Sequence, residues 1–238
     1  MPELLTAAGL AAFFKSYLGV HDWVPGSVLV ATWETVYMVA VSTFLSYVAG
    51  LPLGVVLVTT SRGHILENQR VNQVLGSIVN AVRSVPFIIF LILLIPLTRL
   101  VVGTYIGTIA SIVPLTLAAI PFVARLVETS LKEIEWGLVE AALSMGADAW
   151  QVISKVLLPE AKPALLLGVA ITAINLVGYS AMAGIVGGGG LGTLAYFYGY
   201  QRYQVVVMWS SVVVLVILVQ GIQMLGDGLA AKVTSKRR

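Results

Sequence analysis

An all-α integral membrane protein of five transmembrane helices is the fold class this sequence predicts, and two observations carry that prediction. The 238 residues are 58% hydrophobic and only 11% charged, whereas soluble domains run near ~25% charged because their surfaces need charge to stay dissolved. The charges are also spaced. None falls between Glu34 and Arg62, between Arg99 and Arg125, between Lys162 and Arg202, or between Arg202 and Asp227. Each gap has room for the ~20 apolar residues that cross a bilayer core. The net charge of +3 is spread between apolar segments and reads as a topology signal, not as a nucleic-acid surface. With no cysteine, disulfides, thiol nucleophiles and thiolate metal sites are excluded.

The elements follow in order. Residues 1–32 form an N-terminal external or interfacial segment; its first 14 residues carry no Lys or Arg and so lack the basic start of a secretory signal. A transmembrane unit covers 33–230, with spans at 35–58, 74–97, 105–127, 164–186 and 204–225. Arg83, Pro86 and Pro96 interrupt the second span, and Pro114 and Pro121 lie inside the third. Prolines are tolerated there where neighbouring helices re-satisfy the freed carbonyls. Residues 231–238 are a basic cytoplasmic tail. Arg62, Arg70, Arg125, Lys132, Lys155, Lys162, Lys232, Lys236, Arg237 and Arg238 fall on one side, against Lys15, Arg99 and Arg202 on the other. The positive-inside rule makes the first side cytoplasmic, with the N-terminus outside and the C-terminus inside.

The longest polar connection, 126–162, is too regular for a disordered loop. Its spacing predicts a helix over 133–145 closed by Gly146, a left-handed position. Asp148 then starts a second helix, with Gln151 three residues on in capping-box register. Trp150, Ile153, Val156 and Leu157 make an apolar stripe, and Pro159 is placed to end the helix before Pro163 opens the next span. That stripe either packs on its own bundle or meets another protein.

Glu140-Ala141-Ala142, then Gly146 after three residues, then Val156 after nine, then Leu158-Pro159, resembles the EAA signature of ABC importer permeases. Val156 stands where that signature has Ile. Further stretches, Arg83-Ser84-Val85-Pro86-Phe87, Ile112-Val113-Pro114-Leu115-Thr116, Leu176-Val177-Gly178-Tyr179-Ser180-Ala181-Met182 and Gly189-Gly190-Leu191-Gly192, look like the methionine importer permease family. The resemblance covers about Trp33 to the C-terminus. It implies a type I importer fold in a bacterial cytoplasmic membrane, with 133–159 as the segment that couples to an ATPase. Its implied partners are a second copy of the chain, two copies of a cytoplasmic ATPase that carries the ATP and Mg, and an extracytoplasmic substrate-binding protein. No cofactor is expected in the chain itself, and the resemblance makes it a transport subunit, not an enzyme.

Several residues are weighed singly. Arg83 either snorkels to the cytoplasmic interface or lines the pathway, since a charge inside a span usually faces protein or water. Asn175, Tyr179, Ser180 and Met182 sit among Gly178, Ala181, Ala183 and Gly184, where small residues favour either close packing or a lined path. The glycines at 187–190 and 192 lack the Lys of a phosphate loop and read as a flexible or tightly turned external loop. His21 and His64 read as solvated loop residues, and Glu34 as interfacial. Competing readings are import of another amino acid or a small peptide, an ion-coupled secondary transporter, and an intramembrane enzyme. No acidic residue lies deep in a span, as the second would need, and no catalytic constellation appears.

Overall fold

The computed structural model describes residues 25–235, and every regular element among them is helical. In chain order these are α1 (Pro25–Thr59), α2 (Gln69–Arg83), α3 (Phe87–Leu93), α4 (Ile95–Val102), α5 (Thr108–Lys132), α6 (Trp136–Ser144), α7 (Ala149–Ile185), α8 (Gly190–Thr193), continued by a π-helix over Leu194–Gln201, and α9 (Val205–Ser235). Residues 1–24 of the N-terminal segment, and the last residues of the basic tail from 236, lie outside the described residues.

Among the described residues, α1, α5, α7 and α9 are long and apolar enough to cross a membrane. A fifth crossing exists only if α2 and α3 count as one span, and they are bent by 100°. The bend falls where the sequence places it. Pro86 has no N–H to donate and pushes Val85 out of helical geometry, so α2 stops at Arg83 and α3 starts at Phe87.

Pro159, by contrast, ends nothing. One helix runs from Ala149 to Ile185, and residues Val152–Leu157 within it adopt the wider π-helical turn. That shift of hydrogen-bond register falls just before Pro159, where an N–H is missing, and the helix continues through Pro163. The separate helix and span expected on either side of Pro159 are therefore continuous.

The bundle centres on α1 and α5. Gly50 and Gly54, four apart, form a small-residue seam on α1. A Cβ at Gly50 would sit 2.7 Å from Val123 Cβ, and one at Gly54 2.6 Å from Val127 Cβ. Three apolar clusters stack along this axis. Val28, Leu191 and Val207 mark one pole, Met38, Leu115 and Leu176 the middle, and Val58, Val127 and Leu157 the other pole. Arg125, on α5, donates to Glu128, to Gly76 O (3.2 Å) and to Asn80 Oδ1 (2.9 Å), clasping α2 to α5. Glu128 is buried and also accepts from Lys132 (2.7 Å).

Candidate functional site

Two constellations stand out: a turn at one pole and a pocket in the middle of the bundle. The turn joins α6 to α7. Gly146 has φ +82, the left-handed conformation that glycine adopts without a Cβ clash. Its N–H donates to Leu143 O (2.9 Å), and the N–H of Ala147 donates to Ala142 O (3.1 Å). These paired bonds are the Schellman closure of a helix. Asp148 Oδ1 then accepts from Gln151 N (2.7 Å) while Gln151 Oε1 accepts from Asp148 N (3.1 Å), a complete capping box. Two helix ends are thus satisfied back to back on either side of the turn.

Around this turn the signature residues divide. Ala142 is buried with Val139, Ile153 and Leu157 in the cluster that also holds Val55, Val58 and Val127; Val156 and Leu158 pack against it half-buried. Glu140, Ala141, Gly146 and Pro159 are exposed. Trp150 departs from the expected stripe: it is 72% exposed and Met145 is 82% exposed, so the rim of the turn presents apolar side chains outward. Helix α6 starts at Trp136, three residues later than expected, because α5 runs on to Lys132.

His64 is no solvated loop residue. It is half-buried, its ring meets the edge of Trp136 at 5.4 Å, and its Nδ1 accepts from Ile65 N (3.0 Å). Burial first, and then the charge of Lys132, lower its pKa below the usual 6.5. The loop after α1 is thereby joined to the first residue of α6.

The pocket, about 220 Å³, lies where α2, α3, α5 and α7 converge. Arg83 comes from the end of α2, Phe87 and Phe90 from α3, Ala118 and Phe122 from α5, and Asn175 and Tyr179 from α7. Tyr179 stacks on Phe87 with ring centres 4.4 Å apart and planes within 1°. Among the described residues, Arg83 is the single charged group in the lining. Three of the five expected path residues therefore meet. Ser180 does not join them; it is buried and its hydroxyl donates to Val177 O (2.7 Å). Met182 lies elsewhere on the helix surface, 43% exposed.

The glycine-rich run is tightly turned. Gly187, Gly189 and Gly190 all have positive φ. Glu34, on α1, is half-buried. Its Oε2 accepts from Gly190 N (2.7 Å), Thr35 Oγ1 accepts from Leu191 N (2.9 Å), and Ser111 Oγ donates to Gly188 O (3.1 Å). A carboxylate at the start of α8 also meets unpaired helix N–H groups. No sequence signal ties residues 156 positions apart, so this contact was not foreseeable.

Residues 50–238 match the family described as binding-protein-dependent transport system inner membrane component. The chain is 56% identical over 205 residues to the probable D-methionine transport system permease protein MetI of Vibrio cholerae, covering 86% of this chain and 91% of that one. It is 45% identical to the methionine import system permease protein MetP of Bacillus subtilis, covering 87% and 93%. Among solved structures, an inward-facing form of the MetNI methionine ABC transporter aligns with TM-score 0.86 at 51% identity, covering 87% of this chain and 96% of that one. An amino acid ABC transporter shares the fold at TM-score 0.70 and 17% identity, covering 96% and 100%.

Proposed function

We infer what this chain does from the family it belongs to, the binding-protein-dependent transport system inner membrane components. It is the permease subunit of an ABC importer. The substrate we assign is methionine, because relatives sharing about half of its residues over nine-tenths of their length carry that name. Two copies of the chain frame the route, two ATPase subunits drive it from the cytoplasm, and an external binding protein delivers the substrate. The pole with α6 faces the cytoplasm and the pole with the glycine-rich loop faces outward, as the distribution of Lys and Arg requires.

The observation that carries the coupling role is the doubly capped turn. Glu140, Ala141 and Gly146 are exposed at the turn and Pro159 is exposed further along α7, where an ATPase groove can receive them. Ala142, Val156 and Leu158 root it in the bundle. Because α7 is continuous from Ala149 to Ile185, one helix carries both Val156 at the turn and Tyr179 at the pocket. At 1.5 Å rise per residue these lie ~35 Å apart along its axis. ATP-driven closure that moves the turn therefore moves the pocket wall. In this reading Arg83, Asn175 and Tyr179 line the route, with Ser180 and Met182 on the same helix. The ATPase partner must bind the two states with different affinity for any shift to occur.

The test is uptake of labelled methionine by cells lacking their own methionine importer, supplied with this permease, its ATPase and its binding protein. Gly146→Asp forces a side chain into the left-handed position and strains the turn by ~1 kcal/mol. Uptake is expected to fall while membrane insertion is kept. No uptake with the unaltered chain, in a complex that assembles and hydrolyses ATP, overturns the methionine assignment.

A further inference from the structure

We propose that the pocket between Arg83, Asn175 and Tyr179 is a substrate-binding subsite within the permease, recognising the carboxylate of a small apolar amino acid. This deepens the importer reading above and rests on it. The chemistry is specific. Arg83 takes part in no ion pair or side-chain hydrogen bond among the described residues, nor do the side chains of Asn175 and Tyr179. Three polar head groups thus converge on one pocket with their hydrogen-bonding capacity unspent on the protein.

Position strengthens the case. Asn175 lies ten residues from the end of α7 at Ile185, or ~15 Å along a helix of 1.5 Å rise per residue. That is half the ~30 Å thickness of a bilayer core. Arg83 lines the same pocket, and charged residues within a membrane bundle face protein or a polar cavity and mark substrate routes. A guanidinium recognises a carboxylate with two parallel N–H donors, a geometry no other side chain offers.

The rest of the lining selects the remainder of the ligand. Phe90 and Phe122 offer an apolar wall to a side chain, and a thioether makes favourable contacts with aromatic rings. The carboxamide oxygen of Asn175, the phenol oxygen of Tyr179 and the aromatic faces accept an ammonium group. The stack on Phe87 holds the Tyr179 ring in place. Among the described residues no acidic side chain lines the pocket, so none there matches a second positive charge. Cationic amino acids are therefore rejected, and selection by the external binding protein is repeated inside the membrane.

The experiment uses the permease–ATPase complex with a diazirine analogue of methionine that keeps the amino and carboxylate groups. After illumination, adducts are located by mass spectrometry, and in parallel the complex with its binding protein is assayed for methionine uptake in proteoliposomes. Adducts are expected on peptides carrying Phe90, Phe122 or Tyr179. Unlabelled methionine competes for them, whereas methioninol, which lacks the carboxylate, does not. Arg83→Gln lowers the yield by about ten-fold or more, as loss of a charged hydrogen-bond partner does, and Arg83→Lys retains part of it. If Arg83→Gln fails to assemble with the ATPase, the methioninol comparison on the unaltered chain reads the same carboxylate requirement. Adducts confined to other regions, or equal competition by methioninol, overturn the subsite. Uptake without pocket adducts removes the subsite alone; absence of uptake removes the methionine reading, whatever the adducts show.

Discussion

Individual residues at the turn were legible because their partners are close in sequence. Gly146 and the Asp148–Gln151 box act over three or four residues, and a helix end must satisfy its own N–H and C=O groups wherever it sits. His64 was not legible, because its partners Trp136 and Lys132 belong to two other elements, α6 and α5. Its lowered pKa has a consequence with a definite sign. As pH falls below 6.5, the unfolded chain takes up a proton that folded His64 still refuses. Protonation would also remove the lone pair that accepts from Ile65 N. The stability contributed by this site is complete above the unfolded value and is lost as pH falls through the lower folded one. Thermal melting of the purified complex between about pH 7.5 and 5.5 tests this. His64→Phe keeps a ring beside Trp136 and flattens the acid-side fall in Tm; an unchanged fall assigns it to other groups.

At the scale of elements, the decisive contact is α1 against α5. The glycine seam at Gly50 and Gly54 lets the two backbones close to a distance at which any side chain would overlap Val123 or Val127. Gly54→Leu is expected to cost ~1–3 kcal/mol or more, because overpacking a fixed interface forces the helices apart. A clear drop in Tm, or failure to accumulate in the membrane, is the outcome; a variant as stable as the parent would show that the seam can open freely. The same pair anchors the turn. The cluster of Val55, Val58, Val127, Val139 and Leu157 makes α6 and the start of α7 one body with the ends of α1 and α5. Helix α2, bent by 100° from α3 and clasped by Arg125, brings Arg83 to the pocket by a route that hydropathy reads as an ordinary span.

Across the whole molecule, orientation is the property that charge assigns and side-chain packing does not. The chain has no cysteine, so single cysteines can report it without background labelling. Thr104→Cys, in the connection before α5, should react in intact spheroplasts with a membrane-impermeant maleimide. Arg62→Cys, in the exposed loop after α1, should react only after permeabilisation. The reverse pattern would invert the topology and place the turn outside, where no ATPase could reach it. Helix α9 buries least of the four long helices, leaving Trp209, Val213, Ile217 and Leu225 exposed to lipid or to a neighbouring chain.

Sequence by itself determined the class, the apolar helices, the charge asymmetry and the turn. Each depends on composition or on neighbours within one helical turn, where transfer energies and capping act locally. Tertiary structure alone decided the convergence of Arg83 with Asn175 and Tyr179, the hold of Glu34 on Gly190, the outward face of Trp150 and the unbroken run of α7 through Pro159. Those depend on which helix faces meet, and an apolar span has no strong preferred face until its neighbours choose one. In a bilayer, apolar side chains are equally at home against lipid or protein, so close packing of small residues and a few buried polar groups settle the arrangement.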